Sequence, residues 1–263
     1  MDGGVRERVD VKSADEIARI RDAGAIVARV LQELADAAVA GVSTLELDQI
    51  AEARTVEAGA VPAFKGYHGY PASVCISVND EVVHGIPSAR RFLRDGDVVG
   101  LDFGVQLRGF FADSARTVIV GREPSAATER LVGTTRESLD RAIAAAVADA
   151  RLGDIGFAVQ RHVEARGYSV VRDFVGHGIG RKLHEPPQVP NVGAPGTGLR
   201  LRPGMVLAIE PMVNAGKPDV RTLDDGWTAV TADGTLSAHF EHTIVITEGA
   251  AEVLTRGEAL DRR

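Results

Sequence analysis

The sequence predicts an α+β fold built from two similar halves, each supplying helices and a β-sheet, with acidic strand ends meeting at a shared cleft. Capping boxes and 3.6-residue apolar periodicity mark helices, glycine-broken apolar runs mark strands, and the order begins again after GREPSAA at 121–127. The stretch LRDGDVVGLD (93–102) also aligns without gaps on LRPGMVLAIE (201–210), with four identities and the conservative pairs Val99/Leu207, Gly100/Ala208, Leu101/Ile209 and Asp102/Glu210. Each copy ends in a carboxylate. The tripeptide HGI recurs as well, at His84–Ile86 and His177–Ile179, though its offset of 93 differs from the strand offset of 108.

Taken in order, the first eleven residues form a charged tail with no apolar run of the kind that directs export. Ser13 and Glu16 form a capping box that opens a helix with Ile17, Ile20, Val27, Val30, Leu31 and Leu34 on its apolar side. Ser43 and Glu46 open a shorter one. Strand-like SVCISVN follows at 73–79, then a hairpin over 97–120. The second half restarts with a long helix from about Thr128 to Ala150 carrying Leu131, Leu139, Ile143 and Val147, then a short helix from Asp154, then further strands. The organisation expected is one domain over 12–255, in halves of about 12–122 and 123–255, with tails at 1–11 and 256–263.

The hairpin GLDFGVQLRGFFADS (100–114) places Asp102 and Asp113 in apolar surroundings. A turn at Leu107–Arg108 pairs positions that sum to 215, which sets the two carboxylates directly opposite; a bulge at Gly109 would turn one away. Opposed like charges are destabilising, so an oxygen-seeking cation is expected between them.

With 263 residues, 44% hydrophobic and 25% charged, the chain can bury a large core without staples. The single cysteine, Cys75, excludes an internal disulfide and a cysteine-rich zinc site, which points to a reducing cytoplasm. Acidic groups outnumber basic ones 37 to 30, with no basic block, so broad nucleic-acid binding is disfavoured. No run is long enough to span a membrane.

The chemistry is concentrated in ionisable residues planted in apolar strands: Asp102, Asp113, Glu210 in VLAIEPMV and Glu241 in HFEHTIVIT, joined by His177 in FVGHGIG. Singly, each has an ordinary explanation as a turn residue, strand end, polar face or satisfied core histidine. Jointly, they would require four apolar strands each to tolerate a group whose unpaired burial costs several kcal/mol. Four carboxylates and an imidazole suit a pair of divalent ions, as in two-metal hydrolases.

The segment FVGHGIGRKLHEPPQVPN (174–191), with GYHGYP at 66–71, VVHGIP at 82–87, the two aspartates and EHT at 241–243, resembles type I methionine aminopeptidases from about residue 12 to 255. The resemblance implies the pita-bread fold, with two pseudo-twofold-related halves and a curved antiparallel sheet covered by helices. It implies a dimetal centre in which Asp102 and Asp113 ligate one side, His177 and Glu210 the other, and Asp113 and Glu241 bridge. The ions would be Co, Mn, Fe or Zn. His84 then contacts the scissile peptide, His184 hydrogen-bonds the carbonyl as charge develops, and Glu210 takes a proton from the metal-bound water that attacks the first peptide carbonyl. Cys75, Tyr67, Tyr70, Phe64 and Trp227 line the methionine slot, and Leu183 stands before His184 where the family often has an aromatic. His68, His162, His239 and His242 receive no such role.

The implied substrates are nascent polypeptide N-termini with a small uncharged second residue, met in the cytoplasm with the ribosome as one place of encounter. A monomer is expected. Only 25 residues separate His184 from Glu210, too few for the type II helical insert. An Xaa-Pro aminopeptidase or prolidase is the near alternative, although those usually carry an additional N-terminal domain. A non-catalytic peptide-binding module would lack ligands, and a purely structural ion leaves His84 and His184 unexplained.

Overall fold

The first two helices begin where their caps dictate. In the computed structural model, which describes residues 9–257, Ser13 precedes α1 (Ala14–Ala37) and Ser43 precedes α2 (Thr44–Glu57), each with a complete capping box to the glutamate three residues on. Ile20, Val27, Val30, Leu31 and Leu34 are buried as the periodicity requires, and Ile17 packs at the edge of the same cluster.

After α2 come β1 (Val61–Pro62), a 3₁₀ turn at Tyr67–Gly69, β2 (Cys75–Val78), β3 (Glu81–Val83), β4 (Val98–Leu107) and β5 (Phe110–Ile119). The second half runs α3 (Ala126–Ala145), α4 (Leu152–Glu164), β6 (Ser169–Val170), β7 (Gly176–Gly178), β8 (Glu185–Val189), β9 (Val206–Ile209) and β10 (Met212–Asn214). It ends with β11 (Val220–Thr222), β12 (Ala229–Thr231), β13 (Ser237–His239), β14 (Glu241–Val245) and β15 (Glu252–Val253).

Three helix boundaries differ from the periodicity. The third helix starts earlier, at the Ser125 cap, and stops at Ala145 although apolar spacing continues to Val147. Tertiary pairing ends it: Asp149 adopts φ 69°, the backbones of Asp149 and Ala150 bond to Leu201, and Val147 is left 38% exposed. The fourth helix begins at Leu152, because Asp154 is not its first residue but its third, accepting the Arg151 N–H at 2.7 Å.

The main sheet has the order β1-β4-β5-β14-β9-β7-β8, with β2 also on β4 and β15 also on β14, every pairing antiparallel. One apolar core lies with α1, α2, β2, β4 and β5 and contains Leu31, Ile76, Leu101 and Phe103. A second lies with α3, α4, β9 and β14 and contains Leu131, Ile155, Leu207 and Ile244. Each such fully buried side chain contributes roughly 1.5–3 kcal/mol relative to an exposed one.

The halves join where β5 pairs β14, at Ala115↔Glu241 and Ser114↔His242. Beyond these two rungs, side-chain hydroxyls take over. Thr243 Oγ1 accepts the Asp113 N–H at 3.1 Å and donates to the Asp113 carbonyl at 2.8 Å, while Thr117 Oγ1 accepts the His239 N–H at 2.9 Å and donates to the His239 carbonyl at 2.8 Å. Each half thus supplies one threonine that holds the backbone of a strand from the other half, at Asp113 and at His239.

The hairpin register corrects the sequence expectation. The turn is Arg108–Gly109, with φ of 49° and 84°, the two positive values a type I′ turn demands. Leu107 stays in the strand opposite Phe110, so Asp102 faces Ala115, and Asp113 faces Gly104. The carboxylates are diagonal neighbours rather than directly opposed, and no bulge intervenes. A shift of two residues preserves strand parity, so both still emerge from one face. Among the described residues, no helix is long and apolar enough to cross a membrane.

Candidate metal centre and cavity

Register alone places the five ionisable residues on one face. Asp102, Ala115 and Glu241 lie in one cross-strand row, and Asp113 is two residues from Ala115. His177, Ala208 and Thr243 form the next row, with Glu210 two residues beyond Ala208 and Thr243 two beyond Glu241. With a period of two, all five side chains emerge on the same side. Small residues make the space between them. A Cβ on Gly104 would lie 3.2 Å from Asp113 Oδ1 and 3.1 Å from Phe64. The glycines around His177 let its strand fit tightly, since a Cβ at Gly176 or Gly178 would come within 2.3 Å of a carbonyl oxygen of Ala208 or Pro186.

Donor atoms of Asp113, His177 and Glu241 all lie within 4.8 Å of one another. His177 Nδ1 faces the Gly178 carbonyl at 2.9 Å, a contact that requires the proton on Nδ1, so Nε2 presents a lone pair, 3.6 Å from Glu210 Oε1. Asp102 Oδ1, Asp113 Oδ1 and Glu241 Oε1 are buried and receive no hydrogen bond among the described residues. Buried acceptors without donors are rare, and several converging on one point fit a cation.

The electrostatics agree. Burial raises Asp113 to about 7, opposed by the Ser114 N–H. Burial, and then neighbouring carboxylates, holds Asp102, Glu210 and Glu241 well above the ordinary carboxylate range. His177 is pushed down to about 3 by burial and then by His184, so it is a neutral ligand. Without positive charge, four carboxylates here are costly.

This cluster floors a cavity of about 200 Å³ whose wall is made by Phe64, Tyr67, His68, Tyr70, Cys75, His84, Leu183, His184 and Trp227. Every residue singled out as catalytic, ligating or slot-lining therefore borders one space. Tyr70 Oη donates to the Gly85 carbonyl at 2.8 Å, and its ring meets Trp227 edge-on at 5.2 Å. Cys75 pairs with Asp102 in register and stays a neutral thiol, its pKa raised by burial and then by Asp102. His184 sits at the exposed mouth, with Nδ1 2.8 Å from Tyr67 Oη and its ring 4.1 Å from that of His177. Desolvation against the wall, then His84 and His68, lowers it to about 4. His84 holds a left-handed backbone, φ 62°, with its ring edge-on to Phe174 at 5.3 Å. Such strain in a non-glycine residue concentrates at functional sites.

Two histidines that the sequence left without a role belong here. His68 is on the cavity wall with φ 47°, and buried His239 brings Nε2 to 3.9 Å from Glu210 Oε2. The glycines around Tyr67–His68 signalled a special loop; nothing in SAHFEH separated His239 from an ordinary strand residue. His162 and His242 lie elsewhere, the first beside Glu137 at 3.1 Å and the second 2.9 Å from Thr255 Oγ1.

An antiparallel sheet that aims unpartnered carboxylates and a neutral imidazole into one pocket defines a metal-dependent hydrolase. The pattern of metallopeptidase family M24 matches residues 18–248, and the chain belongs to that family. A methionine aminopeptidase of Clostridium perfringens is 54% identical over 245 residues, covering 93% of this chain and 98% of the relative. The crystal structure of a methionine aminopeptidase from Thermotoga maritima superposes with a TM-score of 0.93 at 46% identity, covering 95% of this chain and all of that one. A prolidase from Pyrococcus furiosus shares the pita-bread fold at a TM-score of 0.76 and 24% identity, with 94% of this chain covering 66% of that one.

Proposed function

We infer that the protein is a metal-dependent methionine aminopeptidase, a single catalytic domain over 12–255 that removes the N-terminal methionine from nascent polypeptides. The observation that carries this is the joining of the donor cluster to an apolar-walled cavity of about 200 Å³, room for an apolar side chain beside the donors. The high identity to methionine aminopeptidases over almost the whole chain supports it.

Asp102, Asp113, His177, Glu210 and Glu241 would hold two divalent ions drawn from Co, Mn, Fe or Zn. The strand order, with Asp102 on one flank, His177 and Glu210 on the other, and Asp113 and Glu241 on the two seam strands between them, supports shared ligation by that middle pair. When bound, the ions supply a water nucleophile active near neutral pH and polarise the peptide carbonyl. Glu210 takes up the proton that the attacking water loses. His184, whose Nδ1 meets Tyr67 Oη at 2.8 Å, donates a hydrogen bond from Nε2 to the carbonyl oxygen as negative charge develops, in the tautomer where Tyr67 Oη is the donor to Nδ1. His84 contacts the scissile peptide and assists transfer of the proton held by Glu210 to the departing amine, so that both groups end as they began. Phe64, Tyr70, Cys75 and Trp227 take the methionine side chain and exclude water.

The same reading includes a small, uncharged second residue in the substrate, action in the cytoplasm as chains leave the ribosome, and a monomeric enzyme. The test offers metal-loaded protein Met-Ala-Ser and an Xaa-Pro peptide in parallel. Methionine release from the first alone is expected. Cleavage of the Xaa-Pro peptide alone would move the protein to the prolidase-like activity, and cleavage of neither with any of the four metals would leave a binding module.

A further inference from the structure

Lys12 is a buried lysine remote in sequence from every residue that lines the cavity. Its side chain is 1% exposed, and Nζ bonds Asp10 Oδ2 at 2.8 Å and Glu185 Oε2 at 2.6 Å. Its backbone N–H is fastened to the Gly204 carbonyl at 2.8 Å. The stem lies against Gly180 so closely that a Cβ there would fall 2.3 Å from Lys12 Cε. Glu185 turns its other oxygen inward, accepting the N–H groups of Arg181 at 2.7 Å and Lys182 at 2.9 Å. The loop base is tied to β5 through Phe111 N–H to the Gly180 carbonyl at 2.7 Å, and Arg181 pairs with Glu16 and lies over the Phe110 ring. What the Lys12–Glu185 pair encloses is the run 180–185, which buries Leu183 on the cavity wall and carries His184 beside Tyr67.

We propose that Lys12 is a positioning residue for His184: its buried ion pair with Glu185 fixes the loop that presents the imidazole to the cavity. The proposal rests on the catalytic reading of His184. A chain segment preceding the first helix thereby sets the geometry of a group at the cavity mouth. A buried pair of this kind is weak evidence for net stability, because desolvation offsets attraction, but it fixes relative position well when the remaining oxygens are satisfied, as both are here. Displacement of an oxyanion donor by about 1 Å costs on the order of 10²-fold in rate.

The test uses full-length, Mn-loaded protein on Met-Ala-Ser. Lys12→Met keeps the stem and removes the charge; Glu185→Gln keeps an oxygen for the two loop N–H groups and removes the charge. Each is expected to lower kcat by roughly 10- to 100-fold with KM within about twofold, and the double variant to fall no further than the worse single. The ¹H–¹⁵N signals of the His184 imidazole, recorded on Zn-loaded protein because Zn(II) is diamagnetic, should shift in both, and those of His242 should not. If Lys12→Met does not fold by circular dichroism, Glu185→Gln and its signals decide. Singles with kcat within about twofold of the parent and unmoved His184 signals would overturn the proposal, as would losses that multiply in the double variant. An inactive parent would instead defeat the catalytic reading, and the His184 signals would still decide the positioning.

Discussion

Glu210 carries two duties, ligand and proton acceptor, and its surroundings suit both: it is buried near Asp102 and Asp113, with His177 Nε2 at 3.6 Å. Glu210→Ala is expected to bring methionine release to background, measured on Met-Ala-Ser with metal in excess. His184→Ala should retain metal but lose an oxyanion donor, lowering kcat by roughly 10²- to 10³-fold; a near-parental kcat would remove it from the mechanism. Gly104→Val probes the space around Asp113, because Cβ alone would already meet Phe64 at 3.1 Å and Asp113 Oδ1 at 3.2 Å. Weaker Mn binding by calorimetry is the expected result. At this scale the candidate site was legible because ionisable side chains stand out in apolar strands. His239 was not, since its meeting with Glu210 is made by the β10–β13 pairing, which sets His239 opposite Met212, two residues after Glu210, a contact that no local spacing encodes.

The β4–β5 hairpin shows where element-level reading succeeds and where it slips. Alternation and the glycine at 109 announced a hairpin with both aspartates on one face, and parity guaranteed that face under any even shift. The register itself depended on which pair of residues could take positive φ. Arg108–Gly109 can, with glycine at the more demanding position, while Leu107 is only 9% exposed and belongs to the core. Gly109→Ala is therefore expected to cost about 1 kcal/mol in denaturant unfolding, with kcat unchanged, because the turn lies away from the cavity. The starts of α1 and α2 were legible through their capping boxes, those of α3 and α4 lie two residues before the positions expected, and the end of α3 was set by backbone bonds to Leu201, outside any sequence window. The Thr243 clamp was equally hidden. Thr243→Val leaves the Asp113 N–H and carbonyl without partners and should destabilise by about 1–3 kcal/mol while also weakening metal binding.

For the whole molecule, the centre links fold stability to pH and to metal. A carboxyl group whose folded pKa lies above its unfolded value, about 4, holds a proton in the folded state that the unfolded chain has already released. The contribution of these four groups to the stability of the metal-free protein is then full below about pH 4 and lost as pH rises through the folded values, about 7 for Asp113 and raised for Asp102, Glu210 and Glu241. The histidines pushed down by desolvation, His177 and His239 at about 3 and His184 and His242 at about 4, act in the opposite sense up to about pH 6.5, so thermal melts of stripped protein should show the carboxyl contribution as a falling Tm above that pH. Added Mn should restore several degrees near neutrality and little near pH 5, because protonated carboxyls do not ligate. The overall architecture was legible in the repeated stretch at 93–102 and 201–210, although Asp102 proves to lie in the middle of β4 while Glu210 follows the end of β9; how the halves join across β5 and β14 was not, because the seam is made by hydroxyls and two backbone rungs. The most direct measurement of the central claim is methionine release from Met-Ala-Ser by stripped protein titrated with Mn. The account predicts no release without metal, a rise to a plateau at two equivalents, and return to background on chelation. Release that persists in chelator, or none at any metal loading, would contradict it.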